Sequence, residues 1–459
     1  MKTLLKVNKK SMILALISLM LLSTGCKKLI ETASPKNQLT PDKVYTDSNA
    51  VQSVLLNIYA NFERNINPSL QLSLGMYSDE LNYYGYDSNT MEFYQSRISP
   101  GNQRNLNIWS RLYTMIYQCN DILEQLPSAD RLPTAFKQRI SGEVLFLRGF
   151  AYFHLVNLYD HIPLILETDV NLTAKAKQVS SEIIYVQIEK DLIAAKEQLK
   201  SYPQTPLNTR AGKYATIALL SKVYLYQKKW EQAALNANEL IRLGTFKLDE
   251  PENVFKDNST ETIFQFWTPQ GYNYTSPDLI LNTSTSPQYA LNIKFADSFE
   301  NDDLRKLHWT GLKTINDGSN NTKYFYTAKY INTTPNNLDP EYFIVFRISE
   351  QYLIQAEAKA ELGDFDGALT ALNIVRKRAN LQALSQLNSV QDYQNAIFKE
   401  RRSELFMEGP DRFFDLKRSG QLNQVMGELK SAWLPRAKNL PIPRSELVAN
   451  TNLIQNQDY

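Results

Sequence analysis

Residues 353–379 read LIQAEAKAELGDFDGALTALNIVRKRA, and residues 218–244, 135 positions earlier, repeat this pattern as ALLSKVYLYQKKWEQAALNANELIRLG. In each segment apolar residues recur at helical spacing on both sides of a polar turn, which predicts two helices joined as a hairpin. Small residues in the second helix allow two antiparallel helices to approach closely, and an aromatic residue wedges between them. The equivalent positions are Leu219 and Ile354, Val223 and Ala358, Leu225 and Ala360, Trp230 and Phe365, Ala233 and Ala368, and Leu240 and Val375.

The repeated hairpin resembles the tetratricopeptide (TPR) pattern, particularly in Gly363-Asp364-Phe365 with Ala368 three residues later. A generic antiparallel helix pair is the alternative. One such hairpin cannot bury its apolar face alone, so several must stack. Because the two copies are far apart in the sequence, we expect other helices to supply the neighbours of each copy.

Helical periodicity continues through most of residues 40–244. Apolar stripes predict helices over residues 44–62, 108–123, 136–158 and 183–199. Residues 76–94 interleave aromatic residues with Asn, Asp, Ser and Gly and keep no period, so we predict a loop there.

Residues 245–345 have a different character from the rest of the chain. Thr, Asn, Pro and Tyr become frequent, and short β-like runs occur at residues 262–267 and 323–326. The segment is too long for a bare connection in a compact domain. We therefore predict a mainly α fold, in which a TPR-like helical-repeat scaffold carries a loop-rich, partly β insertion on one face. Binding residues tend to lie on loops that such a rigid frame holds.

The N-terminal residues carry an export pattern. Four lysines precede an uncharged apolar run, residues 12–22, which is too short to span a membrane and is followed by small residues. This pattern predicts a secretory signal peptide over residues 1–25. Cys26 follows at once and resembles the acylated cysteine of a bacterial lipobox, with residues 26–39 as a tether. An ordinary cleaved signal with a chance cysteine is the alternative.

The second cysteine and the net charge narrow the class of protein further. Cys119 lies in an apolar helical stretch and is predicted to be a small buried side chain, with a disulfide to Cys26 as the alternative. Removal of residues 1–25 takes away four lysines and no acid, which changes the net charge from +2 to −2. A chain so close to neutral lacks the basic bias that binding to nucleic acid requires.

Several stretches together resemble the SusD/RagB family. They occur in the family's order and follow the lipobox. In the C-terminal part they are residues 347–358 (RISEQYLIQAEA), 372–379 (LNIVRKRA), 400–409 (ERRSELFMEG) and 440–447 (LPIPRSEL), and in the N-terminal part residues 146–153 (FLRGFAYF) and 159–164 (YDHIPL).

The charged residues of the stretch 400–409 are interpreted as structural. Glu400, Glu404 and Glu408 recur at intervals of four and repel one another on one helix face. We expect Arg401 and Arg402 to neutralise them.

The resemblance implies a domain organisation. It implies an N-terminal SusD-like helical region over residues 40–244, the insertion over residues 245–345, and a C-terminal SusD/RagB region over residues 346–459. The two later parts are expected to pack with the first as one globular unit.

The resemblance also implies a function. Members of the family capture nutrients at the surface of the outer membrane without catalysis: glycans or, in the RagB branch, peptides. The implied partner is a SusC-like, TonB-dependent transporter barrel, and the lipid on Cys26 is the implied membrane anchor. We expect no cofactor and no metal ion.

In the family, ligand contacts come from the loop after the first helix and from the inserted middle, but no motif fixes the positions. Sugar sites pair aromatic platforms with a few polar groups. We predict Tyr84, Tyr86, Tyr272 and Trp309 as platforms and Asp79 as an acceptor for ligand hydroxyl groups. The alternative for each residue is packing against the scaffold. The same two regions also contain Tyr83, Trp267, Asn273 and Tyr274.

Enzymes and protein scaffolds are the alternative classes. The chain has three histidines, of which His154 lies in an apolar helix and is predicted to be core. His-Glu-x-x-His, Gly-x-Ser-x-Gly and Gly-rich phosphate-loop motifs are absent from the sequence. A glycosidase needs only two suitably spaced carboxylates, and the 48 acidic residues leave that alternative open. A TPR scaffold for protein partners has no need of the tyrosine-rich loops.

Overall fold

Long helices form the scaffold, and most of the strands lie between two groups of helices in the sequence. The computed structural model describes residues 44–281, 286–316 and 320–459. The predicted signal peptide, Cys26 and the tether lie outside these residues. The helices are α1 (Ser48–Asn61), α2 (Asn67–Tyr77), α3 (Ser88–Tyr94), α4 (Gln103–Gln125), α5 (Thr134–Tyr159), α6 (Val170–Thr173), α7 (Ser181–Leu199), α8 (Lys213–Tyr226), α9 (Trp230–Leu243), α10 (Ser276–Leu279), α11 (Ile293–Ala296), α12 (Leu304–Trp309), α13 (Ile348–Glu361), α14 (Phe365–Arg378), α15 (Val390–Leu405), α16 (Asp411–Arg418), α17 (Leu422–Leu429) and α18 (Arg444–Ala449).

The strands form three small antiparallel sheets. They are β1 (Leu81–Tyr83), β2 (Ile162–Pro163), β3 (Gln178–Val179), β4 (Thr262–Phe266), β5 (Tyr289–Leu291), β6 (Thr310–Asn316), β7 (Asn321–Thr327) and β8 (Phe343–Arg347). The order in the largest sheet is β1-β5-β7-β6, while β2 pairs with β3 and β4 pairs with β8. Strands β4 and β7 confirm the two β-like runs that the sequence predicts, and the mainly α fold is confirmed.

The repeated hairpin is confirmed, because helices α13 and α14 begin and end 135 residues after α8 and α9. Other helices supply neighbours of each copy, as expected, since α7 packs on α8 and α15 packs on α13. The two copies also contact each other, which the sequence does not predict. Helix α9 packs directly on α13, and the Ser221 hydroxyl on α8 donates to Gln351 Oε1 on α13 at 2.6 Å. The pairing of β4 with β8 closes the base of the insertion, so the chain returns to the scaffold beside the point where it left.

The first helix is longer than the sequence predicts, and the predicted loop over residues 76–94 is only partly a loop. Helix α1 continues through a π-helical turn, Phe62–Ile66, into α2. After α2 the chain forms β1 and then α3. Strand β1 is too short to show a period, and its partner β5 lies in a distant part of the chain, so local sequence does not reveal it.

Aromatic side chains fill the core where α1, α5 and β4 meet. The rings of Phe62 and Phe266 stack with centroids 4.8 Å apart, and Phe150 packs against Phe62 at 5.0 Å. His154 is buried among them with Nδ1 2.8 Å from the Phe150 carbonyl oxygen, which confirms it as a core residue. Cys119 is a free and fully buried thiol, as predicted.

Glu404 lies at the centre of a buried cluster of charges. It accepts a hydrogen bond from Arg305 Nη1 at 3.0 Å and others from Arg347 and Arg378. Burial alone raises the pKa of a carboxyl, but the three guanidinium groups bring the pKa of Glu404 well below its usual value. Glu404 therefore stays ionised in the core.

The expectation that Arg401 and Arg402 neutralise Glu404 is wrong. Arg401 donates to Asp415 Oδ2 at 2.6 Å, and Arg402 donates to Asp79 Oδ2 at 2.6 Å. The arginines that surround Glu404 come instead from α12, β8 and α14. A pattern within one helix shows only neighbours three or four residues away.

Residues Tyr45–Tyr459 form one compact unit. Among the helices of the described ranges, we find none with the length and apolar character that crossing a membrane requires.

Candidate ligand-binding site

The largest sheet joins the two segments from which the sequence predicts ligand contacts. Strand β1 follows the first long helices, and β5, β6 and β7 belong to the insertion. In the register, Leu81 pairs with Leu291 and Tyr83 with Tyr289. On the far side, β7 pairs with both β5 and β6. Segments that are far apart in the chain thus form a single surface.

One face of this sheet carries tyrosine and amide side chains. Successive residues of a strand point to opposite faces, and the burial follows this rule: Leu81 and Tyr83 are buried, whereas Asn82 is half-buried and Tyr84 is exposed. We call the exposed surface the tyrosine face and define it by Asn82, Tyr84, Tyr324 and Tyr326. The ring of Tyr84 meets the ring of Tyr324 edge-on, with centroids 5.3 Å apart.

Hydrogen bonds and close packing hold the tyrosine face in place. Asn82 Nδ2 donates to the Tyr84 hydroxyl at 3.4 Å. The Tyr84 backbone N–H donates to the Gln288 carbonyl at 2.8 Å and so continues the β1–β5 pairing. The ring of Tyr326 lies over Gly311, where an added Cβ would come within 2.1 Å of Tyr326 Cζ. Any larger residue at position 311 would therefore displace the Tyr326 ring.

A cleft of about 390 Å³ adjoins the tyrosine face and shares Asn82 with it. This volume falls within the range of about 300–1,000 Å³ that is usual for small-molecule sites. Asn292 Nδ2 donates to Asn82 Oδ1 at 3.4 Å inside the cleft. The described residues that line it are Ser78, Asp79, Leu81, Asn82, Tyr94, Gln95, Asn292, Ile293, Lys294, Leu429, Lys430, Ser431 and Ala432.

Lys430 fixes one wall of the cleft. Its ammonium donates to the carbonyl oxygens of Met76, Tyr77 and Tyr94 at 2.5, 3.1 and 2.9 Å, and to the Ser96 hydroxyl at 3.2 Å. Burial lowers the pKa of Lys430 to about 7. The residue therefore ties the C-terminal part of the chain to the end of α2 and to α3.

Asp79 lines the cleft, but its predicted role as an acceptor for ligand hydroxyl groups is corrected by the structure. Only 4% of the residue is exposed. Its carboxylate accepts hydrogen bonds from Arg412 at 2.8 and 3.0 Å and from Arg402 at 2.6 Å. Burial acts to raise the pKa of Asp79, yet the two guanidinium groups lower it below its usual value. Both oxygens are occupied, so Asp79 acts in the fold.

Trp309 is also corrected, because a side chain that is 1% exposed offers no stacking surface. Its indole Nε1 donates to the Pro251 carbonyl at 2.7 Å. Three cations of the buried charge cluster lie against its ring: Lys329 Nζ is 4.6 Å from the centroid, Arg378 Cζ 5.1 Å and Arg347 Cζ 5.6 Å. Trp309 stabilises these charges within the core.

The three remaining predicted platforms lie in different environments. Tyr84 is 44% exposed and belongs to the tyrosine face, whereas Tyr86 is fully exposed in the turn before α3. Tyr272 is half-buried in the loop after β4 and packs edge-on against Tyr274 at 5.9 Å. That loop contributes no residue to the described lining of the cleft. A ligand contact for each of the three stays a prediction.

Several residues of the site were not predicted from the sequence. The alternation in residues 323–326 would have placed Tyr324 and Tyr326 on one face, had strand periodicity been applied there. Asn82, Asn292, Lys294 and Lys430 carry no local signal, because only the tertiary fold brings them together. Within the described ranges, we find no group of three or more His, Cys, Asp or Glu side chains arranged to hold a metal ion.

Known proteins are similar to this chain in sequence and in fold. SusD-like protein P25 from Formosa agariphila is 24% identical, over 94% of this chain and 95% of its own length. A SusD superfamily protein from Bacteroides vulgatus has a similar structure, with a TM-score of 0.79 at 21% identity, covering 90% of this chain and 99% of that one. A laminarin-binding SusD-like protein has a TM-score of 0.75 at 25% identity, with coverage of 90% and 99%.

Two family profiles match consecutive parts of the chain. Residues 30–225 match a SusD-like family described as starch-binding and associating with the outer membrane. Residues 264–459 match the SusD family itself. The N-terminal and C-terminal stretches that resemble this family both lie within the matched ranges, and the chain belongs to the SusD family.

Proposed function

We propose that this protein binds an oligosaccharide on the tyrosine face and in the adjoining cleft. The observation that carries this proposal is the pairing of β1 with β5, because it places Tyr84 and Tyr324 on one surface beside a cleft lined by amides. Sugars have apolar C–H faces ringed by hydroxyl groups. Aromatic rings pack against the C–H faces. The Asn82 and Asn292 amides can donate hydrogen bonds to the hydroxyl groups and accept hydrogen bonds from them.

The comparisons support a glycan as the ligand class. The family profile that matches residues 30–225 is described as starch-binding, and one structural relative is a laminarin-binding protein. A RagB-like peptide binder is the other ligand class in the family. No observation on the tyrosine face favours a peptide, so a peptide ligand enters as an outcome of the test below.

The proposed site binds its ligand without catalysis. Glycosidases place two carboxyl groups about 5–10 Å apart around the scissile bond. Asp79 is the single carboxylate in the described lining of the cleft, and two arginines hold it. The one carboxylate in the described lining is neither free to accept a proton nor able to attack, which supports binding without hydrolysis.

The location and the partner complete the proposal. We place the protein on the outer face of the outer membrane, anchored by lipid on Cys26, and we place a SusC-like, TonB-dependent barrel beneath it. A binder tethered over a pore releases its ligand at high local concentration, which favours uptake. Mild detergent extraction followed by pull-down should recover a large β-barrel protein. Repeated recovery of the lipoprotein alone would contradict the partnership.

A glycan array tests the ligand class. Purified protein should bind one group of related oligosaccharides and leave a parallel peptide library unbound. The Tyr84→Ala variant should bind those oligosaccharides more weakly while it keeps the same melting temperature. Binding to peptides alone, or no binding to any glycan on a broad array, would overturn the proposal.

A further inference from the structure

We infer that the ligand of the proposed site carries negative charge, as an oligosaccharide that contains carboxylate or sulfate groups. The inference rests on the proposed function and names the ligand class of the same site. It stands on the distribution of charged groups around the cleft and the tyrosine face.

Lys294 is the clearest cation in the cleft. It lies in the lining and is exposed. Among the described residues, no carboxylate forms an ion pair with it. An ammonium group in this position is free to bind an anion that enters from solvent.

One further ammonium group flanks the site. Lys313 lies opposite Tyr324 in the register of β6 and β7, and therefore on the tyrosine face. Its Nζ donates to the Leu281 carbonyl at 2.8 Å, which leaves its charge without a carboxylate partner in the described part of the chain.

The carboxylate that lines the cleft is already neutralised. Asp79 is the sole carboxylate in the described lining, and it forms ion pairs with Arg402 and Arg412. Asp297 and Glu428 are the nearest carboxylates along the segments that contribute Lys294 and Lys430, and both lie outside the lining. The described lining of the cleft, together with the Lys313 ammonium on the tyrosine face, therefore carries more positive than negative charge.

The chemistry of recognition follows from this excess. Hydroxyl groups of a neutral sugar donate hydrogen bonds, and a free carboxylate is their strongest acceptor in proteins. This site supplies ammonium and amide donors instead. Carboxylate and sulfate groups accept such hydrogen bonds, and bonds assisted by charge are roughly twice as strong as neutral ones. An acidic glycan therefore matches the donors better than a neutral one.

Isothermal titration calorimetry of the purified protein tests the inference with three probes of similar length: a neutral β-glucan oligosaccharide, a uronic-acid oligosaccharide and a sulfated oligosaccharide. We expect at least one acidic probe to bind about tenfold more tightly than the neutral probe, and we expect that advantage to shrink in about 0.5 M salt. Lys294→Gln should remove most of the advantage. Lys190→Gln on α7, another exposed lysine, is the matched control and should leave binding unchanged.

The outcomes separate this inference from the proposed function. Equal or tighter binding of the neutral probe would overturn the inference and leave glycan binding intact. Preference for an acidic probe that Lys294→Gln does not change would overturn the assignment to this cleft. Failure of all three probes, together with a broad glycan array that shows no binding, would contradict the proposed function itself.

Discussion

The ring of Tyr84 meets the ring of Tyr324 at an interplanar angle of 87°, with their centroids 5.3 Å apart. Tyr84 follows the three-residue strand β1, while Tyr324 lies in the long hairpin of β6 and β7. Their contact depends on β5, which pairs with β1 on one side and with β7 on the other. A scaffold segment and an insertion segment therefore share one aromatic surface. The edge-on geometry leaves ring faces available for a ligand.

Removal of the Tyr84 ring should weaken ligand binding without harming the fold. Tyr84 is 44% exposed, so Tyr84→Ala creates no cavity in the core. By analogy with stacking of bases on aromatic residues, we expect a loss of about 1–3 kcal/mol in binding free energy for the oligosaccharide found on the array. Tyr117→Ala is the matched control, since Tyr117 is 49% exposed on α4 and away from the cleft. Equal affinity of both variants in calorimetry would remove Tyr84 from the site.

Truncation of Trp309 should instead reduce stability. The side chain is fully buried, donates to the Pro251 carbonyl and packs against three cations. We expect Trp309→Ala to lower the free energy of unfolding by about 3–5 kcal/mol in urea titrations. Ligand affinity measured well below the unfolding transition should stay the same. A variant that loses ligand binding but keeps its stability would restore Trp309 as a contact residue.

We expect removal of the Glu404 charge to lower the free energy of unfolding more than removal of a charge at the surface. Glu404→Gln leaves Arg305, Arg347 and Arg378 in the core with less negative charge to balance them. Loss of one partner from a buried ion pair costs about 3–5 kcal/mol. Glu197→Gln is the control, because its ion pair with Lys200 lies at the surface and such pairs contribute at most about 1 kcal/mol. Similar unfolding midpoints for both variants would contradict the role of Glu404.

The free energy of unfolding should fall as the pH rises, because of the buried carboxyl group of Glu80. Burial, with a contribution from Asp79, raises the pKa of Glu80 to about 8, whereas an unfolded glutamic acid has a pKa of about 4.3. Between these values the folded state holds a proton that the unfolded state releases. The free energy of unfolding therefore falls with increasing pH, by up to about 1.4 kcal/mol per pH unit from this group.

The isosteric change Glu80→Gln isolates this effect. The free energy of unfolding of the variant minus that of the parent should be larger at pH 8 than at pH 5, as measured by urea unfolding at both pH values. Other buried groups, such as Lys430, contribute to both proteins and cancel in the comparison. A difference between the two proteins that does not change with pH would show that Glu80 is ionised in the fold.

The helical scaffold could be predicted from the sequence because its signals are local and long. The stripes that predict α4, α5 and α7 each extend over several turns, and the repeat fixes α8, α9, α13 and α14 together. The direct packing of α9 on α13 could not be predicted in this way. It depends on the β4–β8 pairing, which joins residues on the two sides of the insertion.

The site was less predictable, since its groups meet only in the folded chain. Composition drew attention to the two segments that form the proposed site, and Tyr84 lies on the tyrosine face. The same reasoning failed for Asp79 and Trp309, because their arginine and lysine partners come from distant elements and occupy the groups that a ligand would use. Lys430 carries no local signal, yet it forms a wall of the cleft.

A crystal structure of the protein with its tightest-binding array oligosaccharide would show whether the ligand lies on the tyrosine face. We expect a sugar ring within about 4 Å of both Tyr84 and Tyr324, with its polar groups toward Asn82 and Asn292 and into the cleft. Density for the oligosaccharide at another surface, such as the loop that carries Trp267 and Tyr272, with the tyrosine face empty, would contradict this expectation.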